Sequence, residues 1–91
     1  MKIELDELLD AELKEKVDRE HKLYLVNDDV NTFDHVVDSL VAICKHEAIQ
    51  AEQCALLTHY KGVCEIKRGK YKDLIKMADG LMDRQLRIDL Q

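Results

Sequence analysis

The sequence predicts an α+β fold: a two-layer sandwich, β-α-α-β-α-β, with helices covering one face of a small, three-stranded, mainly antiparallel sheet. Three observations carry this expectation. From residue 22 onward, short strand-like runs and longer helical stripes follow one another in that order. The chain contains no proline. Its 91 residues are enough for one domain with one modest core, and too few for two.

Taken in chain order, Leu5, Leu9, Leu13 and Val17 recur every four residues with Leu8 beside them, a narrow helical stripe within an acidic extension of residues 1–21. A helix this short is marginal in water, so the stripe either docks or stays a mobile arm. Residues 22–26 read as a strand, stopped by the turn-forming run Asn27-Asp28-Asp29. This strand opens the expected core domain, residues 22–91. Asn31 or Thr32 then caps a helix whose apolar positions are Phe33, Val36, Val37, Leu40, Val41 and Cys44, and Asp34 suits its positive end. Residues 47–58 form a second helix with a small-residue face, Ala48, Ala51, Cys54, Ala55 and Thr58, ending near Gly62. Residues 63–68 are a second strand. Gly69 is expected to punctuate before a third helix with Tyr71, Leu74, Ile75, Ala78 and Met82 on its stripe and Gly80 weakening its last turn. Leu86, Ile88 and Leu90 alternate with Arg87 and Asp89 as a half-buried strand does.

Charge and cysteine usage exclude several function classes. The net charge of -5 is concentrated in residues 1–20, which hold eight acids against four bases and leave the rest nearly neutral. Such a domain is a poor polyanion binder, so no nucleic-acid partner is expected. The cluster Lys67, Arg68, Lys70, Lys72 and Lys76 reads as a solvated edge. No apolar run approaches the roughly 20 residues a membrane span needs, and the N-terminus is acidic, so a cytoplasmic protein without a membrane partner is expected. Cys44, Cys54 and Cys64 are odd in number and lack Cys-x-x-Cys spacing, which reads as small buried hydrophobes. His21, His35 and His46 are read as structural.

An apolar strand that ends in an amide and two carboxylates, with His59 at a helix end to face them, gathers hydrogen-bond acceptors beside a core. Such a site suits a small cation carrying an apolar group. Singly, Asn27 stops a strand, Asp28 and Asp29 cap a loop or helix, and His59 ends a helix. Jointly, at this separation and in this element order, they resemble the ClpS family, adaptors that recognise destabilising N-terminal residues and deliver substrates to a Clp unfoldase and protease. Asn27-Asp28-Asp29 matches the family's Asn-Asp-Asp signature, and His59-Tyr60-Lys61-Gly62 matches its His-x-x-Gly signature with no gap between them. The specific match spans residues 22–62.

The resemblance implies that Asn27, Asp29 and His59 hold the α-amino group of the incoming residue, with Asp28 and Gly62 structural. The chemistry agrees: an ammonium has three N–H donors and no acceptor, and an amide oxygen, a carboxylate and an unprotonated imidazole supply three acceptors. Bonds of this kind contribute roughly 1.5–3 kcal/mol each, and burying a Leu- or Phe-sized side chain adds about as much, which supports micromolar affinity. Binding is expected to weaken above about pH 8, as the ligand's amine deprotonates, and in acid, as His59 takes a proton.

The side-chain pocket implied by the resemblance comprises Asn31, Phe33, Val36, Ala55 and Thr58. Here the chain departs from the family, since Asn31 and Phe33 replace its usual Thr and Met gatekeeper and Ala55 replaces a second-helix Met, while Val36 is retained. Bulk has moved from one wall to the other. The expected ligands are proteins or peptides beginning with Leu, Phe, Tyr or Trp, and the expected partner is the N-terminal domain of a ClpA- or ClpC-type AAA+ unfoldase. No reactive nucleophile, phosphate loop or complete metal-ligand set is found, so neither catalysis nor a cofactor is expected; a metal-dependent hydrolase built on Asp28, Asp29 and His59 lacks ligands and a positioned base. The element order also resembles the C-terminal domain of the bacterial ribosomal stalk protein, and a ClpS-like interaction module that no longer binds N-degrons is the alternative reading.

Overall fold

The computed structural model runs β1 (Glu20–Val26), α1 (Phe33–Cys44), α2 (Ala48–Lys61), β2 (Val63–Lys70), α3 (Tyr71–Asp83) and β3 (Ile88–Leu90). Residues 19–91 are described. The leucine stripe of residues 5–17 lies outside them, as does nearly all of the expected extension. The order matches the α+β expectation.

β1 is the central strand of a sheet ordered β2-β1-β3, antiparallel to both neighbours. Along it the faces alternate: His21, Leu23 and Leu25 are buried, while Lys22, Tyr24 and Val26 are half-buried on the opposite face. Leu23 and Leu25 enter one cluster with Leu40 of α1, Ala51 and Cys54 of α2, and Leu74 of α3. Both long strands exceed their expected limits by two residues, since Glu20 and His21 pair with Lys70 and Gly69. Gly69 is therefore a ladder residue, and Lys70, the last residue of β2, caps α3 directly. The ladder register shifts between Leu23 and Tyr24, skipping Ile66, which is buried. His46 Nε2 donates to the Ile66 carbonyl at 3.0 Å, tying the start of α2 to that irregularity.

Thr32, not Asn31, caps α1: its Oγ1 accepts from His35 N at 3.2 Å. The buried face of α1 is rotated from the expected stripe. Leu40 and Cys44 are buried and Val36, Val37 and Ile43 half-buried, whereas Phe33 and Val41 are 44% and 39% exposed. The rotation brings Ile43 against α3, where a Cβ on Gly80 would lie 3.0 Å from Ile43 Cγ2. Gly80 thus permits close helix approach, and α3 continues past it to Asp83. The stripe of α3 also differs at its ends: Leu81 is buried where Met82 was expected, and Met82 and Tyr71 are exposed.

The face of α2 is as expected at Ala51, Cys54, Ala55 and Thr58; Ala48, in its first turn, is exposed. Cys44 and Cys54 are buried and Cys64 half-buried, all free. Burial pushes the Cys44 thiol up to about 11 and raises that of Cys54 as well. Of the remaining strand signal, Leu86 is buried just before β3 and the alternation continues through it. Among the described residues, no helix is long and apolar enough to cross a membrane.

Candidate functional site

The end of β1 and the end of α2 are joined by one backbone bond. Asn27 N donates to the Gly62 carbonyl at 2.9 Å. Gly62 caps α2 at φ 89°, a left-handed conformation that glycine adopts without a Cβ penalty, and its N–H returns to the Thr58 carbonyl at 2.8 Å. His59 stands three residues before this cap. The strand end, the glycine cap and the last turn of α2 therefore bring Asn27 and His59 to one place, although 32 positions separate them in sequence.

The loop between β1 and α1 is built on Asp28. Its Oδ1 accepts from Val30 N at 2.9 Å and Asn31 N at 2.8 Å, and its Oδ2 accepts from Asn31 Nδ2 at 2.9 Å. These bonds, the Asn31 backbone N–H foremost, hold the carboxyl below the usual aspartate range against the opposing effect of partial burial. Asn31 Nδ2 also donates to the Gln85 carbonyl at 2.9 Å, and His35 Nε2 donates to the Arg84 carbonyl at 2.8 Å. The loop is thereby fastened to the α3–β3 connection, where Gln85 has φ 68°.

Between these supports lies a cavity of about 100 Å³, lined by Leu25, Val26, Asn27, Asp28, Asn31, Phe33, Val36, Ala55, Thr58 and His59. Sequence reasoning named eight of these ten positions; Leu25 and Val26 were missed as wall residues. The signal for them was present, since they are the last residues of the strand whose end carries Asn27. Asp29 is exposed and does not line the cavity. Gly62 acts from behind, through the backbone.

The wall divides by chemistry. Thr58 Oγ1 donates to the Cys54 carbonyl at 2.8 Å, so its hydroxyl hydrogen is already used. Asn27 and His59 differ: among the described residues neither side chain makes a hydrogen bond, and the His59 ring only meets Tyr60 edge-on at 5.3 Å. Phe33 supplies bulk at the rim while Ala55, almost fully buried, supplies little, and the space between them stays open. Two uncommitted polar groups beside an apolar hollow suit a ligand that carries both N–H donors and an apolar group. Among the described residues, no three His, Cys, Asp or Glu side chains converge as a metal site would require.

Fold and cleft define a small α+β domain with a candidate cleft where its central strand ends between two helices. More narrowly, the chain belongs to the ClpS family, the ATP-dependent Clp protease adaptor proteins, whose family model matches residues 16–89. Its fold is similar to that of Agrobacterium tumefaciens ClpS2 bound to L-phenylalaninamide, with a TM-score of 0.77, 16% sequence identity, and coverage of 81% of this chain and 96% of that chain. No curated protein matches the sequence.

Proposed function

We propose that this protein recognises destabilising N-terminal residues and delivers the substrates that carry them to a ClpA- or ClpC-type AAA+ unfoldase in the cytoplasm. The observation that carries this reading is the open apolar cavity, with Asn27 and His59 on its wall and unengaged. In this reading Asn27 Oδ1 and an imidazole nitrogen of His59 accept from the α-ammonium. The carboxylate of Asp29, exposed one residue beyond the fastened Asp28, swings in as the third acceptor and balances the charge. The apolar side chain enters between Phe33, Val36 and Ala55. A cavity of about 150 Å³ admits a benzene-sized guest, so the space here is of the order of one side chain. The Agrobacterium relative was solved with L-phenylalaninamide, which pairs a free α-amine with an aromatic side chain. That pairing is the ligand chemistry proposed for this chain.

The test is fluorescence anisotropy on peptides identical except for residue one, comparing Leu, Phe, Tyr, Trp, Ile and Ala with an N-acetylated Leu control. Binding confined to free-amine peptides with large apolar first residues is expected. Binding of none would favour the interaction module that has lost N-degron recognition.

A further inference from the structure

The three cysteines take no part in the chemistry of the cleft, and one of them differs from the other two. Cys44 is fully buried and Cys54 nearly so, on the faces of α1 and α2 that meet the core. Cys64, in β2, is half-buried and packs against the cluster that holds both. Its Sγ donates weakly to the Glu65 carbonyl at 3.5 Å.

Across the α2–β2 interface the thiols of Cys54 and Cys64 meet within hydrogen-bond reach. Burial first, and then this contact, raise the Cys54 thiol above the ordinary range. Cys44 acts on Cys54 through charge, without such a contact, and burial pushes its own thiol up to about 11. Two thiols are therefore paired, and the third stands apart. Of the pair, Cys64 is the member that solvent reaches.

The pair stands behind the wall of the cleft. Ala55 follows Cys54 in α2, and the Cys54 carbonyl accepts from Thr58 Oγ1 at 2.8 Å. Leu25 is the partner of Cys64 in the β1–β2 ladder. Leu25, Ala55 and Thr58 all line the cavity, so a change in the separation of α2 and β2 at this point moves its wall.

We infer that Cys54 and Cys64 form a thiol-oxidation site, in which hydrogen peroxide converts the two thiols to a reversible disulfide that draws α2 toward β2 and narrows the cleft. Cys64, as its thiolate, attacks the peroxide; an S–O bond forms, the O–O bond breaks, and the departing hydroxide takes up the thiol's proton as water. The Cys54 sulfur then attacks the Cys64 sulfenic acid, and the displaced hydroxyl leaves with the Cys54 proton as a second water. Two thiols lose two electrons, and one peroxide is reduced to two waters. In a reducing compartment such a bond is transient and sensing, not structural.

The test uses the full chain, reduced and then exposed to hydrogen peroxide, read by intact mass and tryptic mapping. Cleavage at Lys22, Lys45, Lys61 and Lys67 places the three cysteines in separate peptides, residues 23–45, 46–61 and 62–67. Loss of two hydrogens is expected, with the second and third peptides joined, and dithiothreitol reverses it. Cys44→Ala keeps the link and Cys64→Ser abolishes it. A link from Cys44 to Cys54, or oxidation of Cys64 to the sulfonic acid with no link, overturns the site.

The effect on the cleft rests on N-terminal recognition and is read by anisotropy with a free-amine Leu peptide. Oxidation is expected to weaken binding roughly tenfold, as loss of about half the burial of one side chain implies, and reduction to restore it. In Cys64→Ser, peroxide is expected to leave binding unchanged. Equal affinity of the reduced and the mapped disulfide forms overturns the narrowing, as does an equal loss in Cys64→Ser. Failure of the reduced protein to bind overturns N-terminal recognition and the narrowing with it, while the mapped link decides the oxidation site by itself.

Discussion

On the α1 side of the cleft, Asp28, Asn31, Thr32 and His35 spend their side chains on the loop itself or on the turn at residues 84–85. On the α2 side and at the end of β1, the side chains of His59 and Asn27 make no hydrogen bond among the described residues, and the residues are placed by the backbone of α2 and by the joint at Gly62. The two sides divide one task. Polar groups that are mutually satisfied rigidify a loop, and they are then unavailable to a ligand. Groups left free are available, and they depend on the rigid side for their position. The difference also separates neighbours in sequence, since Asp28 belongs to the frame and Asn27 and Asp29 do not.

Substitutions that treat the two sides alike or differently can break this division. The largest effect is expected from His59→Ala and from Asp29→Ala, measured by anisotropy with a Leu-first peptide. Each should remove about 1.5–3 kcal/mol, ten- to hundredfold in Kd, with the melting temperature nearly unchanged. Comparable loss of affinity in a fully folded Asp28→Ala variant would show that the motif has been divided wrongly.

Gly62→Ala addresses the joint between the sides. An added Cβ meets no atom within 4 Å, so its cost comes only from forcing alanine to φ 89°, about 1–2 kcal/mol. A fall in melting temperature is expected, with weaker binding because the relative placement of Asn27 and His59 loosens.

A smaller effect, about 1 kcal/mol in urea unfolding, is expected from Asp28→Ala; the carboxylate is only half-buried, and water replaces part of what its three bonds provide. The pH dependence of Asp28 sharpens the point. Its folded pKa is lowered from 3.8, so the unfolded state binds more protons in that region. Its contribution to stability is therefore present above the unfolded value and is lost as pH falls through the lower folded value. Between pH 5 and 2, wild type should lose slightly more melting temperature than Asp28→Asn. Parallel curves would show that Asp28 does not act through its charge.

The element order could be read because periodicity is local. The strand ending at Val26, the small face of α2 and the stop at Gly62 each follow from neighbours within a few residues, and the structure reproduces them. Elsewhere local patterns left choices that only packing resolves. Phe33 and Val41 fit the helical stripe of α1 as well as Ile43 does, yet the approach of α3 at Gly80 selects Ile43. Leu81 displaces Met82 on α3, although either residue continues a helical stripe. Gly69 looked like punctuation because the ladder that holds it belongs to β1, some fifty residues earlier.

The sequence by itself determined the α+β order and placed Asn27 and His59 as candidate acceptors, both of which line the cavity, because hydrophobic period and hydrogen-bonding chemistry are properties of the residues themselves. Tertiary structure alone decided which polar side chains remain unengaged. Asn31 and His35 are consumed by carbonyls 54 and 49 positions away, while Asn27 and His59 are not. It also decided that the space between Phe33 and Ala55 stays open. Burial and hydrogen-bond satisfaction depend on what distant segments bring into contact, and that information lies in no window of the chain.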